Sequence, residues 1–115
     1  MDATLAVRIA EFEPSNGNWL ELERLFERAF SDRDPTVYYS AIFNLFERFP
    51  DQDGSGVFWS ALHGMEATGS YENELVRFFR RYPSEMTRTM LIRMRNAGDT
   101  KAAGVPIDLL IGTLK

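Results

Sequence analysis

The stretch DPTVYYSAIFNLFERFP, residues 34–50, decides the fold. Asp34 offers a side-chain acceptor to the unpaired backbone N–H groups at a helix start, and Pro35 has the fixed φ that suits a first helical position. Tyr38, Ile42, Leu45 and Phe49 then recur at intervals of three and four, the spacing that lines one face of an α-helix. Pro50 ends the run, because its ring disfavours helical conformation in the residue before it. No alternation of apolar and polar residues, the mark of a half-buried strand, appears here or convincingly elsewhere.

The same reading extends in both directions. Upstream, a helix from Asp2 to about Phe12 aligns Leu5, Ile9 and Phe12. The turn Pro14-Ser15-Asn16-Gly17 follows, and Asn18 is placed to cap a helix from Trp19 to Phe30. That helix turns Leu22, Leu25, Phe26 and Ala29 inward and its Glu and Arg outward. Downstream, Asp51-Gln-Asp-Gly-Ser-Gly56 is a turn, and Val57 to about Ala67 forms a helix with Phe58, Leu62 and Met65 inward. Ser70 is expected to open a capping box with Asn73 or Glu74. The helix Tyr71–Arg81 should bury Leu75, Phe78, Phe79 and Tyr82. Pro83-Ser84-Glu85 starts another, stopped at Asn96-Ala97-Gly98, and Pro106 starts a closing helix that buries Ile107, Leu110, Ile111 and Leu114.

The expectation is an all-α fold in which residues 1–115 form a single helical domain of six or seven short helices. Short connections make consecutive helices antiparallel neighbours, which gives stacked helical hairpins of HEAT type. A compact orthogonal bundle is the alternative, since no internal repeat is visible. A chain of this length buries roughly two-thirds of its unfolded surface, enough for a core without staples. The chain has no Cys, which excludes disulfides and thiolate zinc sites and is compatible with a reducing cytosol. No secretory leader is apparent at Met1-Asp2-Ala3, and no run approaches the roughly 20 apolar residues that cross a bilayer. A cytoplasmic protein with no membrane association is therefore expected.

Charge is segregated along the chain. Residues 1–74 carry fourteen Asp and Glu against five Arg, a net of −9, while residues 75–115 carry three acids against eight Arg and Lys, a net of +5. A split of this kind steers charged partners. The basic half (Arg77, Arg80, Arg81, Arg88, Arg93, Arg95) could contact phosphates, but the overall charge of −4 opposes a polyanion, so nucleic acid is disfavoured. The acidic half (Glu23, Glu27, Asp32, Asp34, Glu47, Asp51, Asp53) is expected to form one negative rim at the helix-connecting turns.

No catalytic set is apparent. His63 is the only His; Ser60 and Glu66 share part of its helix face, but no nucleophile elbow accompanies them. A half-buried His bonded to a neighbour is the simpler reading. The turn at Asp51 fails as a calcium loop, since its twelfth position is Leu62 where a bidentate Glu is required. No metal, cofactor or small-molecule substrate is expected. Trp59, His63 and Glu66 occupy a separate face of their helix from Phe58, Leu62 and Met65, and Trp19, Tyr39 and Tyr71 are expected at helix edges. Such aromatics beside acid anchor protein interfaces; packing of Trp59 on a neighbouring helix is the competing explanation.

The run from Asp51 to Glu66, with Tyr71-Glu72, Arg81-Tyr82-Pro83-Ser84 and Asn96-Ala97-Gly98, resembles small helical immunity proteins encoded beside bacterial polymorphic toxins, including those of contact-dependent growth inhibition. The resemblance covers roughly residues 51–98; residues 1–50 share only its helical style. It implies a protein, not an enzyme, that binds a cognate toxin domain, often a nuclease, and blocks its active site. No contact residue carries over from the family. From charge and residue type, the expected contacts are Glu47, Asp51, Asp53, Trp59, His63 and Glu66, supported by Asp34 and Tyr39. The carboxylates would pair with toxin Lys or Arg, Trp59 would anchor and His63 would hydrogen-bond. A helical adaptor that binds a peptide or helix in a groove is the alternative.

Overall fold

The computed structural model describes residues 2–112. Its elements are α1 (Ala3–Ala10), α2 (Leu20–Phe30), a short 3-10 turn (Pro35–Tyr38), α3 (Tyr39–Arg48), α4 (Val57–Thr68), α5 (Glu72–Arg81), α6 (Glu85–Asn96), β1 (Lys101–Ala102), β2 (Val105–Pro106) and α7 (Ile107–Gly112). The chain is all-α but for that antiparallel ribbon, which pairs Lys101 with Pro106 and Ala102 with Val105.

Helices α1, α3 and α5 lie side by side in one layer, and α2, α4 and α6 in a second; α1 packs on α2, α3 on α4 and α5 on α6. Stacked hairpins produce contacts in this order, and α3 also packs on α6. The short dimension of 21 Å, against 36 and 32 Å for the other two, fits two layers of helix. The ribbon and α7 close the end of the stack against α5 and α6.

Capping residues explain most of the element boundaries. Asp2 accepts from the Leu5 N–H, Asn18 from the Leu20 N–H and Asp34 from the Thr36 N–H, each satisfying an orphan donor of a first turn. Gly98, at φ +104, ends α6 in the left-handed conformation, with the Asp99 N–H returning to the Met94 carbonyl. The capping box expected at Ser70 does not form. Ser70 sits at φ +60 and Tyr71 precedes α5 with no side-chain cap, whereas Ser84 and Thr87 form a reciprocal box at the start of α6.

Every helix contributes to one apolar cluster, including Ile9, Phe26, Phe43, Phe46, Leu62, Phe79, Met90 and Leu110. The inward faces read from the sequence are the buried ones. Of their residues, Phe49 and Ile111 are only half-buried, and Tyr82 is 56% exposed because the chain turns away after Arg81. Leu114 lies outside the described residues. Two close approaches fix the layers. Gly64 of α4 faces the Phe30 ring of α2, where a Cβ would come within 2.7 Å. The Ser60 hydroxyl donates to both carboxylate oxygens of Glu23 at 2.8 and 3.0 Å, tying α4 to α2 a second time. No described helix is long and apolar enough to cross a membrane.

Gly54 is locked more tightly. Its φ is +61, and a Cβ there would lie 2.9 Å from the Phe58 ring and 3.1 Å from Trp19, both buried. Gly17 shares a positive φ of +76 but has nothing within 4 Å. Gly17→Ala should therefore cost about 1–2 kcal/mol, the left-handed backbone penalty alone. Gly54→Ala adds overpacking and should cost about 2–4 kcal/mol. Urea midpoints at unchanged m-value measure the difference; equal losses would show that the ring contacts are slack.

Candidate functional site

Stacked hairpins sort the connections onto two edges. The turns within hairpins (residues 11–19, 49–56 and 82–84) share one edge, and the connections between hairpins (31–34 and 69–71) share the other. The single negative rim is thereby split. Asp32 and Asp34 precede α3, while Asp51 and Asp53 follow it, and ten helical residues separate the two groups by about 15 Å.

On the far edge, Asp34 caps the 3-10 turn. Tyr39 is fully buried, and its hydroxyl donates to the Gly69 carbonyl at 2.7 Å, joining the two inter-hairpin connections. The expectation of an exposed contact there is corrected: Tyr38 closes the 3-10 turn, Tyr39 opens α3, and both are buried. Tyr38 donates to Asp32 at 2.6 Å and accepts from the Asp2 N–H at 3.0 Å. The Tyr38 bond, reinforced by the Asp34 N–H, holds the Asp32 carboxyl below its ordinary value. The same bond raises the Tyr38 phenol.

The near edge is built on Trp19. This residue was expected at a helix edge but is buried, with ring centroids 5.8 Å from Phe12, 5.1 Å from Phe49 and 5.4 Å from Phe58. Arg48 closes the neighbouring turn, donating to the carbonyls of Ala10 and Phe12 at 2.7 and 2.9 Å. Over this base the turn 51–56 folds on itself: the Asp53 carbonyl accepts from the Gly56 and Phe58 N–H groups, and its carboxylate also accepts from Gly56. The Glu85 N–H then donates to the Pro50 carbonyl at 2.7 Å, bringing the start of α6 against the turn.

That bond creates a cleft. Asp51, Asp53 and Ser55 form one wall, Glu85, Met86 and Thr89 of α6 the other, and half-buried Trp59 closes the end. Asp51, Asp53 and Glu85 are exposed and, among the described residues, have no cationic partner. Beyond Trp59 the surface changes character. The His63 ring centroid lies 5.8 Å from Trp59, and the Arg93 guanidinium lies over the same indole at 5.7 Å. Arg93 makes two hydrogen bonds to Glu66, 2.8 and 2.9 Å, which raise its pKa. His63 is not half-buried as expected: its side chain is 60% exposed, with Nδ1 3.8 Å from Glu66. Nearby Tyr71 is half-buried, and burial raises its phenol.

The expected contact residues therefore divide. Asp51, Asp53, Trp59 and His63 lie on one continuous surface. Glu66 borders it, but both its oxygens are bound to Arg93. Glu47 faces α5, where Arg81 holds it at 2.7 Å. Asp34 is on the opposite edge and Tyr39 is interior. Glu85 and Thr89 were missed. Their nearness to Asp51 arises from hairpin stacking, and the only local signal was the helix start at Ser84-Glu85.

The arrangement offers negative charge beside a half-buried indole. Ser60 is bonded to Glu23, so it forms no pair with His63. The described residues include no group of three or more His, Asp and Glu that could hold a metal. Comparison with protein families, with curated proteins and with solved structures finds no match to this chain.

The Asp32–Tyr38 bond makes a pH prediction. A carboxyl depressed on folding stabilises above its ordinary value of 3.8, and that stability is lost as pH falls through the lowered folded value. Tyr38→Phe should be less stable than the parent at neutral pH, with the gap closing below about pH 4. Thermal melts across pH 2–7, a range of about five units spanning the carboxylate titration, check this. A gap independent of pH would assign the effect to packing.

Proposed function

We propose that this chain is an immunity protein: it binds a basic toxin domain, of nuclease type, through the acidic near edge and covers the toxin's working surface, with no reaction of its own. The observation that carries the reading is the cleft of Asp51, Asp53 and Glu85 beside Trp59. Three carboxylates line one cleft there and, among the described residues, none has a cation to relieve it. Like charges kept together on a surface cost stability, and a partner's Lys or Arg recovers that cost on binding. Nuclease surfaces are basic because they hold phosphate, so an acidic edge is their natural complement.

The resemblance of residues 51–98 to helical immunity proteins supports the same reading. Trp59 offers the apolar area that interface hot spots require, and exposed His63 extends the surface with a hydrogen-bonding ring. Glu66 and Glu47 serve differently in this account: they fasten α6 to α4 and α5 to α3, which sets the shape of the edge. The protein acts in the compartment that the toxin reaches, taken here as the cytoplasm.

A second reading has its own observation. Ala6, Val7, Ala10 and Ala41 line a largely apolar groove between α1 and α3, open to solvent, as an adaptor that receives a helix would require.

The test is co-expression with the toxin domain encoded by the neighbouring gene. Cells should survive and a complex should co-purify. Asp51→Lys with Asp53→Lys should lower the association rate by about tenfold at low salt and flatten its salt dependence. An association rate and protection left unchanged by that double substitution would remove the cleft from the interface. Loss of binding in Ala10→Glu alone would favour the groove and the adaptor.

A further inference from the structure

The groove between α5 and the β1–β2 ribbon has the opposite character to the acidic cleft, and we infer that it docks an acidic, apolar-anchored peptide segment of a partner protein. Val76, Ala103 and Val105 give it an apolar lining, and Arg77, Arg80 and Arg81 surround them. Arg80 has no acidic partner among the described residues. Arg77 makes only a 3.4 Å bond to the Ser40 hydroxyl. Arg81 is held by Glu47 at 2.7 Å.

Two of these guanidiniums are already oriented. Arg77 lies 5.1 Å and Arg81 4.8 Å from the centroid of the same Phe78 ring, on successive turns of α5. A ring that holds a cation in place reduces the rotamer freedom lost when an anion arrives. Charge complementarity then defines the occupant. Carboxylates pair in charge-assisted fashion with Arg80 and Arg77, and an aliphatic or aromatic side chain between them fills the space over Val76 and Val105.

A polynucleotide fits less well. Two of the arginines that would extend a phosphate track are committed elsewhere, Arg93 to Glu66 and Arg95 to Asp108. The groove offers no exposed aromatic face on which a base could stack, since Phe78 is only 5% exposed. The chain as a whole, with a net charge of −4, repels any strand that runs past the groove.

The probe is a displayed library of random peptides, selected against the parent chain and against Arg77→Ser/Arg80→Ser. Arg81 is left intact to keep its bond to Glu47, and thermal melts establish that the variant folds. Selection on the parent should enrich peptides with Asp or Glu on both sides of a large apolar residue. Binding of an enriched peptide should weaken by about tenfold or more in the double variant, from loss of two charge-assisted contacts. It should weaken again in Val105→Ser and persist in Asp51→Lys/Asp53→Lys. The inference is overturned by the absence of acidic enrichment, by binding that survives the double variant, or by a single-stranded RNA oligonucleotide that competes more strongly than the peptides.

Discussion

The hydrogen bond from the Glu85 N–H to the Pro50 carbonyl is the contact on which the near edge depends. It joins two backbone groups that helix geometry leaves without partners: a donor in the first turn of α6 and an acceptor just past the end of α3. Each hairpin turn could otherwise face water independently. Joined, they bring Glu85 to Asp51 and Asp53 and give the cleft two walls. Repulsion among exposed carboxylates opposes this only weakly, because water and salt screen it. Beneath them Trp19, Phe49 and Phe58 form edge-to-face pairs, and each fully buried aromatic contributes about 1.5–3 kcal/mol. The apolar base outweighs the charged rim, so the rim can remain unneutralised.

The charge split along the chain has two consequences. Part of it is internal. Arg81 pairs with Glu47 and Arg93 with Glu66, so arginines of the last hairpin fasten it to acids of the middle one, once in each layer. Ion pairs at partly exposed positions contribute little stability, about 0–1 kcal/mol, and their value here is in setting which helix faces which. What remains is arranged as an acidic cleft on the turn edge and a basic groove at the closing end of the stack. The two surfaces make the molecule electrostatically polar in three dimensions as well as in sequence.

Local features were legible in the sequence. Asp2, Asn18, Asp34 and Gly98 act at helix ends as their residue types require, and the inward faces of α2 and α4 follow from spacing alone. The features that failed were those decided by distant partners. Ser70 had the composition of a cap, but a positive φ in the connection placed it out of reach of α5. Tyr39 was assigned to the surface because Tyr38 already filled the inward position, yet a 3-10 turn before α3 lets both rings enter the core. Glu47 and Glu66 looked available because sequence shows charge and not its partner. Glu85 was overlooked because nothing near it in sequence points to Asp51; only the stacking of hairpins brings the two together.

Hydrogen–deuterium exchange on the chain alone and bound to the proposed basic toxin domain tests the central claim most directly. The account predicts added protection at residues 50–59 and 85–89, with the outer surfaces of α1 and α3 unchanged. Protection confined to the α1–α3 groove, with the cleft exchanging as freely as before, would contradict it.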